Sequence, residues 1–117
     1  MADLVPNKPR LRLWVEALRS GEFKQGYYRL RTGDTYCCLG VAAEVCVRNN
    51  VIDYAYRYEL MFLPVEIAEW FGIALSPVVN YLGDDCRVDV TVLNDQFNDD
   101  FNTIADKIEF TYKLNED

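Results

Sequence analysis

Apolar residues recur along this chain in two rhythms, and each rhythm predicts a different kind of element. Leu11, Trp14, Val15 and Leu18 stand at i, i+3, i+4 and i+7, which is one apolar face of an α-helix. Asn7 is placed to cap that helix, Pro9 fits its first turn, and Gly21 follows Ser20 where a left-handed C-cap favours glycine. Leu39, Ala42, Ala43 and Cys46 repeat the period, and Val41, Val45 and Val47 cover the other sides. A helix apolar around most of its circumference is a buried one, so this segment belongs at the centre of the core, with Asp34 or Thr35 as its expected cap. Pro64 opens a short helix over Val65–Phe71 that Gly72 stops. Asp99 or Asp100 caps a last helix striped by Phe101, Ile104, Ala105, Ile108 and Tyr112.

The second rhythm has a period of two. Tyr54, Tyr56 and Tyr58 alternate with Ala55 and Arg57 within Val51–Phe62, as in a strand or extended loop. Thr32-Gly33-Asp34 reads as a turn between two short extended pieces, Tyr28–Arg31 and Thr35–Cys37. Val78–Leu82 is a further short strand, followed by a turn at Gly83-Asp84-Asp85. Val88–Leu93 is β-branched but short, and its pattern fits strand or helix equally. The predicted class is α+β: a mainly helical single domain over residues 1–117, with about four to five helices and a small β hairpin or short sheet. Its ends, about residues 1–6 and 113–117, are expected to fray.

Composition narrows the function classes. A chain of 117 residues, half of them hydrophobic, has room for one core. No apolar run approaches a membrane span and the N-terminus lacks a signal-peptide core, so a cytoplasmic protein without membrane contact is expected. Four cysteines there would be reduced. Histidine is absent, which removes the commonest zinc ligand and the commonest acid–base group at neutral pH. The aspartate runs lack the spaced ligands of a calcium loop. No metal or other cofactor is expected, and no catalytic set is complete.

Charge changes the picture more. Residues 1–31 hold seven basic residues against three acids, a net of +4; the rest holds five against sixteen, a net of −11. A basic segment on an acidic body favours a small anionic ligand over long nucleic acid, which would feel the whole field. Arg19, Lys24, Gln25, Tyr27, Tyr28, Arg29 and Arg31 combine forked cations for phosphate with rings for stacking. The competing reading is a basic surface that balances acidic neighbours. Asn94 and Asp95 could read a base edge or a ribose, or simply make a turn or a cap. Cys37-Cys38 is either a thiolate at a helix N-terminus or a pair of small residues packing into the core. Gly40 suits close backbone packing, Trp14 and Trp70 suit the core, and three tyrosines on one strand face call for a cover, most plainly a second copy.

Several pieces together resemble a family of small proteins encoded by tailed bacteriophages and prophages. They are Trp14-Val-Glu-Ala-Leu-Arg-Ser-Gly21 with Gln25, Tyr36-Cys37-Cys38-Leu39-Gly40-Val41, Leu63-Pro64, Ala68-Glu-Trp70, Leu93-Asn94-Asp95 and Phe101 through Glu109. The tyrosine-rich Asn49–Phe62 and the alanine-poor Arg87–Leu93 depart from that pattern. The resemblance implies a phage product in the host bacterial cytoplasm and supplies no reaction. It is compatible with an anti-defence protein, homo-oligomeric and not an enzyme, that sequesters a nucleotide-derived immune signal. The alternatives are an acidic, DNA-mimic-like inhibitor of a host protein and a thiol-dependent enzyme using Cys37 or Cys38.

Overall fold

The computed structural model describes residues 5–53, 58–81 and 86–116. Helix α1 (Lys8–Arg19) starts as its sequence demands: Asn7 Oδ1 accepts from Arg10 N at 3.1 Å. Its four predicted apolar residues are all buried, and it packs most extensively on the last helix, α5 (Phe101–Thr111), and on α2 (Cys38–Arg48). Helix α2 lies at the centre, with Cys38 through Ala43, Val45 and Cys46 all buried. Helix α3 (Val65–Phe71) ends on Gly72 at φ 75°. The described residues share one hydrophobic core, and the α+β class holds.

Two small sheets accompany the five helices. Strands β1 (Lys24–Gln25), β2 (Arg31–Thr32) and β3 (Thr35–Tyr36) form the first, with β3 central, antiparallel to β2 and parallel to β1. The β2–β3 hairpin turns on Gly33 and Asp34 as its sequence predicts, and Gly33 takes φ 60°. Strands β4 (Val78–Asn80) and β5 (Arg87–Asp89) form the second, antiparallel.

Several expectations are corrected. The cap of α2 is neither Asp34 nor Thr35, because Thr35–Tyr36 is spent on β3; Cys37 caps instead, its Sγ accepting from Gly40 N at 3.4 Å. The ambiguous run Val88–Leu93 is both things: β5 ends at Asp89, whose carboxylate accepts from Thr91 N at 2.8 Å and so starts α4 (Val90–Asp95). Within Val51–Phe62 the described residues form no strand, although Tyr58 and Leu60 accept backbone hydrogen bonds from Arg31 and Leu30. Tyr54, Tyr56 and the Gly83-Asp84-Asp85 turn lie outside the described residues. The C-terminal tail does not fray through Glu116. Leu114 is buried, and Arg12 donates to the carbonyls of Leu114 and Glu116 at 2.9 and 3.3 Å.

Trp14 is fully buried, its indole donating to the Cys38 carbonyl at 2.9 Å. Trp70 is only half-buried, stacked under the Arg10 guanidinium at 4.5 Å. Among the described glycines the tightest approach is at Gly40, where a Cβ would stand 1.7 Å from the Leu30 carbonyl oxygen. No flexible side chain can yield there, because both partners are backbone. Gly40→Ala should therefore destabilise by about 3 kcal/mol or more, whereas Gly33→Ala, at positive φ but with open space around it, should lose only about 1 kcal/mol. Urea unfolding of the two variants checks the order.

Candidate functional site

The segment between α1 and β2 is irregular apart from the two residues of β1, so most of its shape must come from contacts outside itself. Those contacts converge on one amide. Asn94, in the last turn of α4, is fully buried. Its Oδ1 accepts from Gln25 Nε2 at 3.0 Å and from the backbone N–H of Cys38 at 3.2 Å. Its Nδ2 donates to the Gly26 carbonyl at 2.9 Å and to Asp95 Oδ1 at 2.7 Å. Gln25 Nε2 reaches the Asp99 carbonyl as well, at 2.8 Å. The same Asp95 oxygen accepts from Tyr28 N at 2.9 Å, and the Tyr28 hydroxyl donates to the Asp95 carbonyl at 3.3 Å.

Asp95 thereby holds Tyr28 at φ 68°. A left-handed backbone at a bulky residue costs roughly 1–2 kcal/mol and persists only where neighbours over-determine it. The consequence lies on the outer side. Tyr27 and Tyr28 are 45 % and 54 % exposed, and Lys24 and Arg29 are exposed beside them. Among the described residues neither cation has a carboxylate partner. The loop is thus fixed from beneath and dressed outward with two rings and two charges. Surface cavities of about 220 to 360 Å³ occur on the molecule, and none of these is lined by Tyr27, Tyr28 or Arg29.

The predicted basic cluster is not one surface. Arg19 is turned away to α5, where it pairs with Asp106 and with Glu109 at 3.0 Å. Arg31 donates Nε–H to the Gly33 carbonyl at 2.8 Å and lies between two rings, 5.3 Å from that of Tyr36 and 5.2 Å from that of Tyr58. Asn94 and Asp95 are the loop's foundation, and Gln25 belongs with them, since their polar atoms are turned to the protein. Lys24, Tyr27, Tyr28 and Arg29 remain as the outward set.

Tyr36 and Tyr58 were not anticipated beside Arg31. A signal for Tyr36 was present: a two-residue turn at Gly33-Asp34 fixes the register that sets Arg31 opposite Tyr36. Tyr58 arrives from a distant segment, and local pattern gives no hint of it.

The adjacent thiols are inert by the same geometry. A helix N-terminus lowers a thiol pKa, yet burial outweighs it here. Burial pushes Cys37 up to about 11, against its bonds from backbone N–H groups, and raises fully buried Cys38 as well. Cys38 Sγ donates to the Val90 carbonyl at 3.6 Å. Both residues pack and cap, and neither is poised as a nucleophile at neutral pH. Among the described residues no group of histidine, cysteine and acidic side chains is arranged to hold a metal ion. No helix there is long and apolar enough to cross a membrane.

The clamp, the loop and the capping cysteine all fall within residues 8–112, the span matched by one family's sequence profile. The chain belongs to the family named Domain of unknown function DUF8296. No curated protein and no solved structure matches it significantly. The DUF8296 match thus covers the loop and its foundation and names no activity.

Two outcomes follow. Asn94→Leu removes the partner of the buried Cys38 N–H and the Gly26 carbonyl, and should cost about 3 kcal/mol or more. Asn102→Ala, an exposed change on α5, should stay within about 0.5 kcal/mol in the same urea titration. The buried thiols set an alkaline limit. The unfolded Cys37 thiol ionises near its ordinary value of 9 and the folded one only near 11. The stabilisation is thus complete below pH 9 and is lost as pH rises from 9 to 11, by about 2 to 3 kcal/mol. Unfolding at pH 8 and pH 11 should show a shallower alkaline loss in Cys37→Ser than in the parent.

Proposed function

We propose that this protein is a binding module, not an enzyme, whose outward loop of Lys24, Tyr27, Tyr28 and Arg29 captures a nucleotide-derived anion. The observation that carries the reading is the held Tyr28. Asn94 and Asp95 pin the underside of the loop and keep a tyrosine at φ 68° with its ring half-exposed. A strained, rigid display of rings and cations has no purpose in packing, and a preorganised surface loses little entropy on binding. Rings stack on a base and cations meet a phosphate. The resemblance to small phage proteins gives the setting: sequestration, in a bacterial host, of a nucleotide signal made by an immune system.

None of the cavities of about 220 to 360 Å³ is lined by the loop's rings, so a small ligand needs a second wall. A second copy of the chain would supply it most simply. One observation favours a second reading, a protein-directed inhibitor: outside residues 1–31 sixteen acids face five bases, a field suited to a basic partner surface.

The deciding experiment is mass spectrometry of small molecules released by denaturing protein purified from bacteria with active nucleotide signalling. A stoichiometric nucleotide on the parent, absent from a Lys24→Ala, Arg29→Ala variant of unchanged melting temperature, is the expected result. Tyr28→Gly should lose the ligand yet be no less stable than the parent, since glycine adopts that backbone without strain. An empty parent from cells that contain such signals overturns the reading in favour of the acidic inhibitor.

A further inference from the structure

We infer that the guanidinium of Arg31, clamped between Tyr36 and Tyr58, is the seat for the phosphoryl group of the ligand. The inference rests on the recognition-loop reading for the ligand's class and adds the atom-level anchor that the loop itself lacks.

Arg31 opens β2 directly opposite Tyr36 in the ladder. Three contacts immobilise it: its Nε–H bond to the Gly33 carbonyl at 2.8 Å and the two flanking rings at 5.3 and 5.2 Å. Both ring distances lie within the roughly 6 Å range of a cation–π contact. That arrangement uses one of the five guanidinium N–H donors and leaves the two terminal amino groups with no hydrogen bond or ion pair among the described residues.

Arg19 and Arg48 have carboxylate partners, Arg10 lies over a single ring and donates to the Trp70 carbonyl, and Arg12 donates to the C-terminal carbonyls. Among the described residues Arg31 is the one arginine flanked by two rings, and it has no carboxylate partner there. An arginine fixed by its neighbours has already lost the rotamer freedom that binding would otherwise take, and its paired amino groups match two phosphoryl oxygens. Leu30 is buried between Arg29 and Arg31, so both cations stand away from the core, and Arg29 is the cation two residues back from the fork. Tyr27 and Tyr28 lie next in sequence, where a nucleoside attached to that phosphoryl group would find its rings.

The test is an NMR titration of the full chain, following the Arg31 side-chain Nε–H and the Gly33 backbone amide. The probes are adenosine 5′-monophosphate, inorganic phosphate, adenosine and acetate. Both phosphate-bearing probes should move the Arg31 resonance saturably, and adenosine and acetate should not. Arg31→Lys keeps a cation over the rings but loses the fork, and should weaken adenosine 5′-monophosphate by about tenfold or more. Arg31→Gln, read alongside its melting temperature, guards against a folding defect. Nucleotide binding that is unchanged in Arg31→Lys overturns the fork and leaves the loop reading standing. Inorganic phosphate on Arg31 with no gain from the nucleoside supports the fork and overturns the nucleotide reading. An Arg31 resonance that moves equally with acetate, or with none of the four, overturns the inference outright.

Discussion

One buried carboxamide decides whether this chain has a defined surface at all. Asn94 is fully buried and makes four hydrogen bonds, to the Gln25 side chain, the Cys38 N–H, the Gly26 carbonyl and Asp95. Two of the partners are backbone groups that their own segments leave unpaired. Cys38 N–H is one of the orphan donors at the start of α2. Gly26 lies in a loop whose own ladder is only two residues long. A buried polar group left unpaired costs more than a made bond contributes, so such a network is stable only when complete. Its completion joins α2, α4 and the 24–28 loop, and everything displayed on that loop inherits the rigidity of the helices beneath.

The basic segment gains a different meaning once its partners are known. Most of its charges hold the fold together. Arg10 stacks on Trp70 and bonds its carbonyl, Arg12 clasps the tail, and Arg19 meets Asp106 and Glu109 on α5. The exposed Arg19 pairs are individually weak, but the three arginines together tie α1 to three other parts of the chain. Among the described residues, only Arg19 of that segment's basic residues meets carboxylates; Arg10 and Arg12 are engaged with carbonyls and a ring. What the proposed recognition can draw on is small and local: Lys24, Arg29 and the clamped Arg31.

Helices were legible wherever burial is one-sided and an end is marked. Helix α1 could be read from its stripe and Asn7, and α3 from Pro64 and Gly72, because those signals are local. The α2 cap was not legible, since Thr35 answers to a strand partner eleven residues upstream, Lys24. Val88–Leu93 resisted assignment because Asp89 changes the element inside the run, and its capping role shows only when Ser76 and Thr91 are seen around it. The candidate site divides along the same line. Residue types for anion recognition could be read from the sequence; which arginine faces inward, outward or sideways depends on α5, Tyr58 and the tail, and these are long-range facts. Gly40 is the exception. Its role in close packing could be expected from its place beside two cysteines at a helix start, and the Leu30 carbonyl explains why no other residue fits.

Cys37 and Asp95 show how one neighbourhood can be chemically quiet and still purposeful. A cysteine at a helix N-terminus beside an ordered acid looks like the start of a catalytic pair. Burial reverses that expectation by making ionisation costly, so the thiol caps the helix as a weak acceptor. Asp95 turns Oδ1 to Asn94 and to the N–H of Tyr28, accepting from both. Both groups act on geometry alone. Together they turn the end of α4 and the start of α2 into a mount for a strained tyrosine, and a mount needs a reason to be strained. Packing supplies none, since the Tyr28 ring is half-exposed; the recognition proposed for this loop would supply one.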